Sequence, residues 1–140
     1  MKIVSVIPAF KEQETIVRVV SETKRYVDEV IIIDDGSTDE TFAKAQEAGV
    51  LLLKHRENKG KGEALRTGFK RALELGADVI VTLDADAQHD PNEIPRLLLP
   101  IAEARADLVV GDREKRGMPW IRKLSNAMAC LLYTSDAADE

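Results

Sequence analysis

Val79-Ile80-Val81-Thr82-Leu83-Asp84-Ala85-Asp86-Ala87-Gln88-His89-Asp90-Pro91 decides how this chain is read. An apolar, strand-like run delivers two carboxylates and an amide oxygen at every second position, and a helix start follows. On an extended segment residues i, i+2 and i+4 point the same way. Asp84, Asp86 and Gln88 are therefore expected to converge on one point. Two carboxylates held that close repel each other unless a cation lies between them. Hard oxygen ligands with room left for water and phosphate suit Mg²⁺ or Mn²⁺. The stretch reads as a strand, then a metal-and-phosphate site, then a helix.

The same alternation extends along the chain in both directions. Strand candidates are Ile3–Ile7, Val30–Ile33, Val50–Leu53, Val79–Leu83 and Leu108–Val110. They are apolar on both faces, as strands covered by helices on both sides must be. Helical stripes lie between them: Ile16, Val19, Val20 and Val27; Leu65, Phe69, Ala72 and Leu73; Ile94, Leu97, Leu98 and Ile101, with Pro100 expected to kink or end the last. Ser37-Thr38-Asp39-Glu40 and Asp90-Pro91-Asn92-Glu93 each place a capping residue three positions before Glu. Gly76 reads as a helix stop. Alternating β and α elements predict an α/β fold with a mostly parallel sheet and right-handed crossovers. Beyond an apolar helix-like run, Leu124–Leu132, the tail from Tyr133 to Glu140 has no core-facing pattern. It reads either as a frayed terminus or, preferably, as a non-native extension. The expected organisation is one domain over residues 1–132 and a disordered or non-native tail over 133–140.

Bulk properties narrow the function. A chain of 140 residues, 44% hydrophobic and 32% charged, supports one globular core. The net charge of −5 speaks against nucleic acid as a partner. A single cysteine, Cys130, excludes an internal disulfide and fits a reducing compartment. It lies on an apolar stripe and is expected in the core. With no signal-like segment at the start and no apolar run of membrane-spanning length, the chain is expected to be soluble and cytoplasmic.

In an open parallel sheet, ligands bind outside the carboxyl ends of the strands. Here those ends carry Pro8-Ala9-Phe10 with Glu12, Asp34-Asp35-Gly36-Ser37, Asp84-Ala85-Asp86 and Gly111-Asp112-Arg113. Asp34 and Asp35 are readable as a turn and helix cap, or as acceptors for a nucleobase N–H or ribose hydroxyl. Asn58-Lys59-Gly60-Lys61-Gly62 is a solvated turn, or a loop placing Lys61 near an anion at a helix N-terminus. It lacks phosphate-loop spacing, and Arg66 beyond it reads as a surface charge. Arg113, Lys115, Arg116, Arg122 and Lys123 around Trp120 form a charged loop, a pyrophosphate clamp led by Arg113, or a contact for anionic lipid. His89 is a hydrogen-bonded neighbour of the helix cap, or a fourth ligand.

Four motifs in series carry a resemblance: Val6-Ile7-Pro8-Ala9-Phe10, Asp34-Asp35-Gly36-Ser37-Thr38-Asp39, Asn58-Lys59-Gly60-Lys61-Gly62-Glu63-Ala64-Leu65 and Asp84-Ala85-Asp86-Ala87-Gln88-His89-Asp90-Pro91. Over residues 1–132 the chain resembles the family-two glycosyltransferases of GT-A fold, above all the dolichol-phosphate and polyprenyl-phosphate sugar synthases. The resemblance implies a Rossmann-like, nucleotide-diphospho-sugar-binding fold that is incomplete at the C-terminus. It implies that Pro8, Ala9, Phe10 and Glu12 line the nucleotide pocket, that Asp34 or Asp35 contacts base or ribose, and that Arg113 reaches the phosphates. Asp84 is implied at the ribose, the diphosphate and the metal, with Asp86 and Gln88 holding Mg²⁺ or Mn²⁺. The implied donor is a GDP- or UDP-linked sugar, and the implied acceptor is a polyprenyl phosphate at the inner face of the membrane. Three departures stand out: Lys11 at a common Asn position, Phe10 for a frequent Tyr, and Asp112 for a common Ser.

The reaction implied is transfer with inversion, and no residue here reads as its general base. A polyprenyl phosphate acceptor is already anionic, which relaxes that need. Two alternatives stand beside this reading. One is a catalytically incomplete nucleotide-sugar-binding fragment. The other is a phosphoacceptor receiver domain, which would need a lysine ending its last strand and an acidic pair after its first.

Overall fold

A computed structural model describes residues 1–111 and 128–132. Six strands form one sheet: β1 (Ile3–Ala9), β2 (Glu29–Asp35), β3 (Leu51–His55), β4 (Val79–Thr82), β5 (Leu108–Gly111) and β6 (Met128–Leu132). The four described α-helices are α1 (Ile16–Thr23), α2 (Thr41–Glu47), α3 (Lys61–Glu74) and α4 (Ile94–Ala102), the last preceded by a 3-10 turn at Pro91–Glu93. The strand order is β3-β2-β1-β4-β6-β5. The first four strands are mutually parallel, and β6 runs antiparallel to both β4 and β5.

Strand side chains alternate between two cores, as a two-sided sheet requires. Val4 and Val6 of β1 share a cluster with Ile31, Ile33, Ile80 and the α3 residues Ala64 and Ala72. Ile7 and Ala9 turn to the opposite face, with Val30, Ile32, Ile16 and Val19 of α1, and Ile94, Leu97 and Ile101 of α4. Ile7, Ile32 and Ile33 are fully buried, and each such burial is worth about 1.5–3 kcal/mol. Gly68 brings α3 down onto the sheet. A Cβ there would lie 2.3 Å from Val6 Cγ1 and 2.7 Å from Ile33 Cδ1.

The mostly parallel α/β sheet with helices on both faces matches the expectation, and several details differ. The helix-like run ending at Leu132 contains a strand, β6, placed where it pairs the backbone edges of both β4 and β5. Unpaired strand edges are costly when buried, and this constraint is not visible in a local apolar pattern. Cys130 stands in register with Val81 and Val109. Helix α2 begins at Thr41 and not after Ser37. The Ser37 hydroxyl accepts from Lys11 N at 2.9 Å, while Asp39 Oδ1 accepts from Thr41 N at 3.0 Å at the start of the helix. Asp90 caps as expected, accepting from Asn92 N at 3.0 Å. Helix α1 ends at Thr23, so Val27 lies beyond it while still packing against the core. Leu73 is exposed, because the buried face of α3 runs through Ala64, Gly68 and Ala72. Pro100 lies within α4, which continues to Ala102.

Two glycines of α3 give a controlled test of this packing. Gly68→Ala is expected to destabilise the domain by roughly 1–3 kcal/mol through overpacking against Val6 and Ile33. Gly62→Ala, with nothing within 4 Å of its new Cβ, is expected to stabilise by up to about 1 kcal/mol through helix propensity. Urea unfolding of both variants checks this, and equal effects from the two would refute the close-approach account.

Candidate functional site

The parallel strands order their connections so that β1 has β2 on one side and β4 on the other. Crossovers leave this pair in opposite directions and open a crevice at the carboxyl ends of β1 and β4. A cavity of about 400 Å³ lies there, lined by Pro8, Ala9, Phe10, Glu12, Asp35, Asn58, Gly60, Lys61, Ala64, Asp84, Ala85 and Asp86. Its size falls within the range for small-ligand sites.

The loops around the cavity are clipped together by hydrogen bonds. Between the β1 and β2 ends, Glu12 N donates to Thr41 Oγ1 at 2.9 Å and Glu40 N donates to Gln13 Oε1 at 3.1 Å. The Thr15 hydroxyl donates to Ala85 O, joining the start of α1 to the segment after β4. Lys11 adopts a left-handed φ of 55°, a conformation in which Asn is several-fold enriched over most side chains.

Asp35 is the most heavily used acceptor. Its Oδ1 accepts from Lys59 N at 3.0 Å and its Oδ2 from Gly60 N at 2.9 Å. His55 Nδ1 lies 2.8 Å from the same Oδ1. Burial alone would raise its pKa. The hydrogen bonds from Lys59 N, His55 and Gly60 N outweigh that and hold the carboxyl below its ordinary value. Gly36 makes the junction possible with φ of +78°, and a Cβ there would sit 2.5 Å from Asn58 N and from the Glu57 carbonyl carbon.

Asp84 and Asp86 both reach the cavity, but not along an extended strand. β4 ends at Thr82, and residues 85–87 form a turn in which Ala87 takes a φ of 65°. Asp86 Oδ1 accepts from Gln88 N at 3.0 Å, an Asx-type turn that sends the chain away from the crevice. Gln88 is therefore exposed and does not line the cavity, contrary to the alternation expected for it. His89 is 5% exposed, and its Nδ1 accepts from Asp84 N at 3.0 Å. It locks the turn, as the hydrogen-bonded reading expected.

Lys61 begins α3 and places Nζ 2.6 Å from Asp84 Oδ1. The loop that read as either a solvated turn or an anion site thus reaches across the cavity to an acid. Arg66 is the surface charge expected, 4.0 Å from Glu63. The sequence left open which of Asp34 and Asp35 faces the ligand. Asp35 lines the cavity, whereas Asp34 is fully buried, with Oδ1 accepting from Ser37 N at 3.1 Å and Oδ2 without a partner among the described residues. Arg113, with Asp112 and the cationic cluster around Trp120, lies outside the described residues. His55 was not legible in the sequence, and Asn58 was legible only as part of its loop, not as a residue of the cavity wall. His55 ends a strand directly opposite Asp35 in register, a relation that only strand pairing defines.

Glu12 records how acidic the cavity is. Burial, then the charges of Asp86 and Asp84, raise its pKa above the ordinary value. Ionised Glu12 is thus less favourable in the folded chain than in the unfolded one, where it titrates near 4.5. The penalty is complete above the raised pKa and disappears as pH falls below the ordinary value. Glu12→Gln is accordingly expected to raise the Tm at neutral pH, with the gap to wild type closing below about pH 4.5. Thermal unfolding across that range checks it, and a gap independent of pH would sink the electrostatic account.

Comparison with solved structures fixes the class of fold. Glucosyl-3-phosphoglycerate synthase from Mycobacterium tuberculosis, crystallised with Mn²⁺, UDP-glucose and phosphoglyceric acid, superposes over 94% of this chain and 56% of its own with a TM-score of 0.73 at 23% identity. A complex of that synthase with Mn²⁺, UDP and glucosyl-3-phosphoglycerate matches 71% of this chain and 39% of its own, with a TM-score of 0.60 at 30% identity. The fold is that of the GT-A glycosyltransferases. Residues 5–129 match glycosyl transferase family 2, and the chain belongs to that family. Its relatives include a UDP-N-acetylglucosamine–dolichyl-phosphate N-acetylglucosaminyltransferase from Methanococcus voltae, 38% identical over 86% of this chain and 57% of that protein. An undecaprenyl-phosphate mannosyltransferase from Micrococcus luteus is 35% identical over 84% and 50%, respectively. The chain spans about half the length of the curated relatives it matches. Family membership removes the receiver-domain alternative.

Proposed function

We propose that this chain forms the donor-binding part of an inverting glycosyltransferase that moves a sugar from a GDP- or UDP-linked donor to a polyprenyl phosphate. The observation that carries the reading is the cavity at the β1/β4 crevice, where Pro8, Phe10, Asp35, Asn58, Lys61, Asp84 and Asp86 meet. The kinship with dolichyl- and undecaprenyl-phosphate sugar transferases supports the acceptor class. In this reading the full-length protein works on the cytoplasmic side, at the inner face of the membrane where a lipid phosphate is available.

Each residue has a task that its chemistry suits. Phe10, 40% exposed at the cavity edge, offers a flat apolar surface to a nucleobase. Asp35 has three acceptor positions engaged out of the roughly four that a carboxylate offers, which leaves room for one hydroxyl or N–H of a nucleoside. Lys61 brings a cation to the rim, where it can exchange Asp84 for a phosphate oxygen. A polyprenyl phosphate arrives as an anion, so these residues need not supply a general base.

Among the described residues no group of three or more His, Cys, Asp or Glu is assembled to hold an ion alone. Asp84 and Asp86 nevertheless offer hard carboxylate oxygens to the cavity, where burial and then their charges raise the pKa of Glu12. That set fits Mg²⁺ or Mn²⁺, which take one or two carboxylates and fill their remaining positions from phosphates and water. Asp84 and Asp86 would hold the ion. When bound it would neutralise charge developing on the departing nucleotide diphosphate. Gln88, exposed beyond the turn, is left out of this assignment.

Calorimetric titration of the chain with UDP and GDP, with and without Mn²⁺, tests the reading. Micromolar binding of one nucleotide that weakens at least about tenfold without metal, or in Asp86→Ala, is expected. Binding that is indifferent to both changes would overturn the metal assignment, and no binding of either nucleotide would overturn the donor site.

A further inference from the structure

His55 and Thr67 stand behind the cavity wall and take no part in the reading above, yet they close a continuous chain of hydrogen bonds. His55 Nδ1 faces Asp35 Oδ1 at 2.8 Å, and Nε2 faces Thr67 Oγ1 at 2.8 Å. The side chains of His55 and Asp35 are 10% and 4% exposed. A carboxylate only accepts, so Nδ1 carries a hydrogen and donates it to Asp35. The Thr67 hydroxyl also lies 3.0 Å from Glu63 O, and its one hydrogen serves either that carbonyl or Nε2. A neutral imidazole takes the hydroxyl hydrogen at Nε2. An imidazolium donates to the hydroxyl, which then donates to Glu63 O. Both protonation states leave the bond to Asp35 intact.

The other side of Asp35 holds the loop that walls the cavity. Lys59 N and Gly60 N both end on its carboxylate, and Asn58, Gly60 and Lys61 line the cavity. The backbone of Glu57 and Asn58 lies against Gly36 so closely that no Cβ fits between them. His55 therefore joins three elements at one point: the end of β3, the end of β2 and, through Thr67, the first turns of α3. Without His55 the carboxylate would keep only the two backbone donors, one on each oxygen, and more freedom about its χ angles. Held from both sides, it keeps its remaining acceptor position aimed in one direction.

We propose that His55 is a positioning residue for nucleotide binding, acting through Asp35 to pre-set the Asn58–Lys61 wall before a nucleoside diphosphate arrives. The inference rests on the reading that this cavity takes a nucleotide. His55 touches no ligand itself, so its effect is one of pre-organisation, which acts on affinity by lowering the ordering cost of binding.

The test uses the 140-residue chain with UDP and GDP as probes in the presence of Mn²⁺, well below the unfolding temperature. His55→Leu removes both contacts. His55→Asn keeps an amide donor near the place of Nδ1, and Thr67→Val removes only the far anchor. His55→Leu is expected to weaken binding of whichever nucleotide wild type takes by about tenfold. His55→Asn should recover most of that loss, and Thr67→Val should lose about threefold. Amide hydrogen exchange at Lys59 and Gly60 should quicken about tenfold in His55→Leu, with Ile32 unchanged, because local opening is then easier. Wild-type affinity in His55→Leu overturns the inference, even if its Tm falls. So does an equal loss in His55→Leu and His55→Asn with unchanged exchange at Lys59 and Gly60, the pattern of a merely structural residue. Should His55→Leu fail to fold, wild-type affinity and exchange in Thr67→Val overturn it instead. If wild type binds neither nucleotide while exchange still quickens in His55→Leu, the donor-site reading fails, and the role in nucleotide binding fails with it.

Discussion

Everything at the carboxyl edge of this sheet depends on the fact that β1 is paired on both sides by strands whose connections run in opposite directions. Pairing with β4 over Ile3–Val6 and with β2 as far as Ala9 fixes the direction in which Pro8 and Ala9 leave the sheet. The loops that follow β1 and β4 flank a crevice at the carboxyl ends of the two strands and are tied to each other by the Thr15 hydroxyl on Ala85 O. No side chain creates this opening. Side chains only decide what fills it, and here they make it acidic, with Glu12, Asp35, Asp84 and Asp86 along its wall.

An acidic crevice holds together because each charge is answered nearby. Asp35 is answered by two backbone amides and His55, and Asp84 by Lys61. Glu12 differs: burial, then the charges of Asp86 and Asp84, push its carboxyl toward the neutral form. The division has a functional logic in the proposed reading. Groups that shape the wall have their partners within the protein, while Asp84 and Asp86 face the cavity, where an incoming cation and diphosphate would complete their surroundings. Lys61 belongs to both sets, since a flexible ammonium gives up one anion for another at little cost.

Much of the fold was legible because apolar runs of strand length alternate with helical stripes. Each of the five expected strands is present, and the four parallel ones pair in the topology that right-handed crossovers allow. Helix ends were less legible. Ser37 carried a sound capping pattern, but its hydroxyl is taken by Lys11 N from another strand's loop. The strand at Met128–Leu132 was read as helical because its local composition does not reveal two open sheet edges waiting for a partner. At the site, residue types were readable and their geometry was not. Asp84 and Asp86 both line the cavity, but through a turn and not through the extended alternation expected, and the same turn leaves Gln88 exposed outside it.

The sequence by itself determined the class of fold and the gathering of acidic residues at the carboxyl edge of the sheet. Periodicity and the residues that end each strand are local properties, so they survive without coordinates. Only the tertiary structure decided that Asp35 and not Asp34 lines the cavity, that Lys61 reaches Asp84, and that His55 grips Asp35. These relations join residues more than a dozen positions apart through strand register and loop closure. Such distances are set by how the whole sheet pairs, which no window of sequence contains.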